Sequence, residues 1–218
     1  SRKMISKTKS QRCMKKRYLI WFLLFGLSGY LPLQAVAETK ILFLGDSITA
    51  GFGIDKEKAY PTLVDDALKE KGLKDILVIN AGISGSTTAS AISRLKWYSR
   101  IQPDILVLAL GGNDGLRGVS VQSMEDNLEK TIQYALDKRM KVILAGMQIP
   151  PNYGETYTVD FRNVFSRLAK RYPVTFMPFL LKDVGGNPSL NLPDGIHPTP
   201  EGHRLIAKNI LPYILENL

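Results

Sequence analysis

Cysteine is nearly missing from this chain. Cys13 is the only one in 218 residues, so the chain cannot close an internal disulfide, and nothing beyond residue 13 offers thiol chemistry. Histidine is scarce too: His197 and His203 are the only two, so an imidazole base must be one of them. Acidic side chains are absent from residues 1–37. No apolar run reaches the ~20 residues of a membrane span, because Tyr18 to Leu33 is interrupted by Gly26, Ser28, Gly29 and Pro32. Repeats and low-complexity segments are lacking as well.

The missing acids explain the charge. The whole chain carries 29 basic and 20 acidic residues, a formal +9. Eight of the basic residues lie within residues 1–37: Arg2, Lys3, Lys7, Lys9, Arg12, Lys15, Lys16 and Arg17. Without them the remainder holds 21 basic against 20 acidic residues. The basic excess therefore belongs to a leader, and no basic-aromatic patch in the body favours a nucleic-acid partner. Met14 to Arg17 supplies a positive start, Tyr18 to Leu33 an apolar stretch, and Ala35-Val36-Ala37 a small-residue cleavage site. We expect a secretory signal over 1–37, a mature start near Glu38, a periplasmic or secreted product, and one domain over 38–218. Cys13 precedes the apolar stretch, so it is not placed as a lipid-anchor cysteine.

Beyond residue 38, short apolar runs alternate with helical patterns. Strands are predicted at 40–45, 76–80, 104–110, 141–145 and 174–176. Helices are predicted at 59–71, 87–99, 120–139, 156–172 and 200–218, with Pro61 in a first turn, Gly72 as a stop and Ser120 or Ser123 as a cap. The strands are continuous apolar runs, the pattern of strands covered on both faces. Alternation of this kind predicts an α/β fold with a five-stranded parallel sheet between helical layers. In such sheets the crevice lies beyond the carboxyl ends of the strands. Ser47, Ser84, Gly85 and Asn113 all follow predicted strands, and Asp194 and His197 precede the last helix.

Those residues suit one chemistry. A serine nucleophile needs a neutral imidazole, and the imidazole needs an orienting carboxylate. Asp194-Gly195-Ile196-His197 offers both on one tight loop, with Gly195 permitting an unusual turn and Pro198 keeping His197 out of the helix. The Asp194 carboxylate is expected to face Nδ1, leaving Nε2 for Ser47. His203, inside a predicted helix, is read as structural or exposed. Donors for an oxyanion are available at the Ser47 N–H, at Gly85 in the turn Asn80 to Ser86, and at Asn113 in Gly111-Gly112-Asn113-Asp114. Each feature has a plainer reading alone: Ser47 as a helix cap, Asn113 as a turn residue, His197 on the surface.

Taken in order, four blocks resemble the SGNH, or GDSL-type, hydrolases: Gly45-Asp46-Ser47, Gly82-Ile83-Ser84-Gly85, Gly111-Gly112-Asn113-Asp114 and Asp194-Gly195-Ile196-His197-Pro198. Leu110 to Gly118 and Met147 to Gly154 are similar to the secreted arylesterase, thioesterase I and lysophospholipase group. The resemblance implies a flavodoxin-like three-layer sandwich, with Ser47 as nucleophile, His197 as base and Asp194 as its orienter. It implies an oxyanion hole from Ser47, Gly85 and Asn113, no metal or organic cofactor, and an acyl ester or lipid as substrate. Ser86 stands where the group often has a charged residue. Ile149, Pro150, Tyr153 and Tyr157, on the loop after the fourth strand, are expected to line an acyl groove, with Phe179 to Leu181 and Gly185 to Asn187 as a further wall. No stable membrane span and a monomer are expected.

Two other readings share parts of the pattern. A carbohydrate deacetylase has the same triad but needs a more polar, aromatic groove. A non-catalytic flavodoxin-like binding module wants a phosphate-cradling loop after the first strand. Gly45 to Gly51 lacks a P-loop lysine and carries Asp46, which repels phosphate.

Overall fold

Five parallel strands run in the order β2-β1-β3-β4-β5: β1 Thr39–Gly45, β2 Ile76–Asn80, β3 Ile105–Ala109, β4 Lys141–Ala145 and β5 Thr175–Met177. The computed structural model describes residues 38–218, so the expected signal segment, its cleavage site and Cys13 lie outside the described residues. The α-helices are α1 Ser47–Ala50, α2 Tyr60–Glu70, α3 Ala91–Tyr98, α4 Gly112–Leu116, α5 Val121–Asp137, α6 Glu155–Arg171 and α7 Pro200–Leu215. Helix α2 packs on α7, while α3 packs on α5 and α5 on α6, giving the α/β/α layering. Among the described residues no helix is long and apolar enough to cross a membrane.

The strand runs produce the core directly. Ile41 to Leu44, Ile105 to Leu108 and Val142 to Ala145 are almost fully buried, as central strands covered on both faces must be. The same reading fails at β2 and β5. They are the sheet edges, and Leu77 and Ile79 of β2 remain partly accessible. Strand order comes from tertiary pairing, and the apolar runs alone could not distinguish edge from centre.

Helices follow from spacing and caps. In α5, Met124, Leu128, Ile132 and Ala135 recur every three or four residues and are buried. The Ser120 side chain accepts from the Ser123 N–H and starts that helix. In α6, Phe161, Val164, Phe165 and Leu168 face the sheet, with the two phenyl rings edge-to-face at 5.8 Å. Burial of each such side chain stabilises the fold by roughly 1.5–3 kcal/mol. Two short helices, α1 and α4, lie where only loops were expected. Both begin just beyond a central strand, and both carry site residues.

Candidate active site

The register of the central strands brings the loops together. Gly45 of β1 pairs with Ala109 of β3, so the segments that follow them emerge side by side. Asp46 caps α1: its Oδ1 accepts the Ile48 N–H at 3.0 Å. Ser47 is thereby the first residue of α1, and its N–H makes no hydrogen bond to another described residue.

The loop between Leu190 and Thr199 folds back on itself. Asn191 bridges Pro198, Leu192 N–H donates to the His197 carbonyl at 2.7 Å, and Thr199 N–H donates to the Leu190 carbonyl at 2.9 Å. Gly195 takes φ 69, a left-handed conformation costly for other residues, and lets the chain reverse between Asp194 and His197. Asp194 Oδ1 accepts the Ile196 and His197 N–H groups, while Oδ2 lies 2.6 Å from His197 Nδ1. His197 Nε2 lies 2.9 Å from Ser47 Oγ. The His197 N–H, the imidazole and the Ile196 N–H together hold the Asp194 carboxyl down at about 2. This is a hydroxyl–imidazole–carboxylate chain of the kind that activates a serine.

Two further segments follow β2 and β3, the strands on either side of β1. Thr88 donates to the Asp114 carboxylate twice, from its N–H at 2.9 Å and from its hydroxyl at 2.6 Å. Arg117 donates to the Gly85 carbonyl at 3.0 Å, and Asn113 Nδ2 donates to the Ser86 carbonyl at 3.1 Å. These bonds latch the Gly82–Thr88 turn onto α4 and leave the Gly85 N–H without a partner among the described residues. The second amide hydrogen of Asn113 makes only a 3.4 Å contact to Asp46 Oδ2. A contact that long is weak and readily exchanged for a better acceptor.

Two residues to which the sequence assigned no part in the site belong to this frame. Asp46 is buried, and desolvation pushes its carboxyl up to about 6 against the opposing Ile48 N–H. Arg94 of α3 sends Nη2 to the carbonyls of Gly45 and Ala81, tying the ends of β1 and β2, and burial lowers its pKa. Its Nε and Nη1 are buried without partners. In the sequence Arg94 resembled any basic residue of an amphipathic helix. His203 is buried, as a structural reading requires; its Nδ1 accepts the Tyr60 N–H at 3.1 Å.

A cavity of about 330 Å³ is bordered by Ile48 and Ile196, the chain neighbours of Ser47 and His197. Ile48, Leu116, Ile149, Pro150, Phe179 and Ile196 line much of it, so its wall is mostly apolar. Ile149 and Pro150, two of the residues expected to line a groove, are part of this lining. Tyr153 and Tyr157 do not line it. Their hydroxyls donate to the Leu116 and Val119 carbonyls, which fastens the loop and start of α6 to the segment after α4. Among the described residues, no three His, Cys, Asp or Glu side chains cluster in a way that could hold a metal ion.

The model of the GDSL-like lipase/acylhydrolase family matches residues 43–205. An arylesterase of Vibrio mimicus is 37% identical over 203 residues, covering 93% of this chain and 99% of that protein. Esterase TesA of Pseudomonas aeruginosa is 38% identical over 192 residues, covering 85% of this chain and 94% of that protein. Among solved structures, a crystal structure of TesA superposes with a TM-score of 0.79 at 35% identity, over 83% of this chain and 100% of that one. The psychrotrophic esterase EstA from Pseudoalteromonas sp., inhibited by monoethylphosphonate, gives a TM-score of 0.77 at 31% identity, over 82% and 97%.

Proposed function

The chain belongs to the GDSL-like lipase/acylhydrolase family and is a serine hydrolase of carboxylic esters; we propose that Ser47, His197 and Asp194 carry the reaction. The observation behind this assignment is the unbroken chain from Asp194 Oδ2 to His197 Nδ1 at 2.6 Å and from His197 Nε2 to Ser47 Oγ at 2.9 Å.

Ser47 Oγ attacks the ester carbonyl while its proton passes to His197 Nε2. Asp194 holds the ring and stabilises the imidazolium that forms. The carbonyl oxygen becomes an oxyanion and takes hydrogen bonds from the Ser47 N–H, the Gly85 N–H and Asn113 Nδ2, whose Asp46 contact is given up. The tetrahedral adduct collapses, the bond to the leaving oxygen breaks, and His197 returns the proton to that oxygen. Water then repeats the sequence on the acyl-serine and releases the acid. Preorganised donors of this kind are each worth about 10²- to 10³-fold in turnover.

The apolar cavity supports an acyl chain as the group it takes, on esters and on thioesters alike. It offers little of the polar and aromatic surface a sugar needs, so the carbohydrate reading has no support in the groove. The basic and apolar segments of residues 1–37 support export, a mature start near Glu38 and a single domain over 38–218.

A fluorophosphonate probe followed by peptide mass analysis tests the assignment. Label is expected on Ser47 alone, and Ser47→Ala is expected to lose both label and turnover. Labelling elsewhere, or full activity in that variant, overturns it.

A further inference from the structure

Phe52 is an exposed aromatic in an unusual place. It is 50% accessible, yet its ring centroid lies 4.5 Å from that of His197, inclined at 39°. Its position is built by the loop. Gly51 and Gly53 on either side have φ 74 and φ 79, where side chains are strained. The Gly51, Phe52 and Ile54 N–H groups bond to the carbonyls of Ile48, Ser47 and Gly51. The backbone of Phe52 is thus fixed to α1, while its side chain packs beside the imidazole and remains open to solvent.

The stereochemistry of the reaction says what that face meets. Four groups surround the tetrahedral carbon. One is Ser47 Oγ, one the oxyanion facing its donors, and one the acyl chain in the cavity. The fourth is the leaving oxygen, which must approach His197 Nε2 to be protonated. Phe52 does not line the acyl cavity and borders the imidazole. We propose that Phe52 forms the leaving-group subsite and selects esters of aromatic alcohols by packing against their ring. This rests on the assignment of Ser47 and His197 above and adds the alcohol side to it. No covalent step changes: phenol departs with the proton from His197, as any alcohol would.

The test compares the phenyl and ethyl esters of one short acid. Both give the same acyl-Ser47, so deacylation is common to the pair, and intrinsic leaving-group reactivity cancels in the ratio of kcat/KM values when variants are compared. In Phe52→Ala the phenyl-to-ethyl ratio is expected to fall about three- to tenfold, the range for an aromatic pair beyond simple burial. Phe52→Tyr is expected to restore the ratio, and Phe52→Leu to restore it only in part. If Phe52 merely steadies the imidazole, both esters and the deacylation rate fall together and the ratio stays constant, which overturns the proposal. Fluorophosphonate labelling of the same variants separates the two assignments. Label on Ser47 with an unchanged ratio overturns the subsite alone, whereas no label on Ser47 in the unmodified protein overturns the assignment beneath it.

Discussion

Asp46 Oδ2 meets Asn113 Nδ2 at 3.4 Å, so the residue before Ser47, the proposed nucleophile, touches the amide proposed as an oxyanion donor. The other Asp46 oxygen caps α1. One buried carboxylate therefore sets the start of the helix that carries Ser47 and makes a weak contact with the neighbouring segment's amide. Asn113→Ala is expected to lower kcat about 10²- to 10³-fold while KM moves much less, because the lost bond forms mainly in the transition state. Asn113→Asp should be worse still, since it sets a second carboxylate against Asp46. Steady-state kinetics on a soluble ester checks both.

The buried Asp46 and His203 push stability in opposite directions with pH. Asp46 is raised from 3.8 to about 6, so between those values the folded chain binds more proton and stability declines as pH rises. His203 is lowered from 6.5 to about 4 by burial, so between those values the unfolded chain binds more proton and stability grows as pH rises. Each effect amounts to about 3 kcal/mol. They offset one another, and a nearly flat unfolding free energy is expected from pH 4 to 6. Asp46→Asn should expose a slope upward with pH, and His203→Gln a slope downward. Urea unfolding across that range measures it; a steep slope in the unaltered protein would refute the pairing. Below pH 4 a further loss is expected, because the depressed Asp194 must then be protonated.

Arg94 ties together two strand ends that carry site residues. Arg94→Ala leaves the Gly45 and Ala81 carbonyls without their charged donor and is expected to cost about 2–3 kcal/mol. Lysine at this position reaches one carbonyl at a time and should recover only part of that. Because Gly45 precedes the nucleophile loop and Ala81 the Gly85 turn, kcat should fall in both variants as well. Chemical denaturation and kinetics on the same preparations decide the point.

Ile149 faces the cavity, and Tyr157 does not. Ile149→Trp is expected to fill acyl space and lower kcat/KM for long-chain esters at least tenfold while sparing acetate esters. Tyr157→Phe loses one hydroxyl bond to the Val119 carbonyl, costs about 1 kcal/mol of stability, and should leave the chain-length profile unchanged. A series of p-nitrophenyl esters of increasing acyl length separates these outcomes.

Much of this protein was determined by sequence alone because the relevant physics is local. Apolar runs and periodic faces specify strands and helices through spacing. Asp194, Gly195 and His197 are close in the chain, so a single turn predicts their hydrogen bond. Their junction with Ser47, 150 residues away, was expected from placement after strands of one parallel sheet and from the resemblance to the GDSL-type hydrolases. Tertiary structure decided the rest. Strand order left β2 and β5 at the edges, where continuous apolar runs had implied full burial. Tyr153 and Tyr157 turned from the groove because carbonyls at 116 and 119 accept their hydroxyls. Asp46 read as a motif letter, and nothing along the chain singled out Arg94 or Phe52. Their roles depend on which distant amide, carbonyl or imidazole the fold sets beside them, and no pattern along one stretch of chain encodes that.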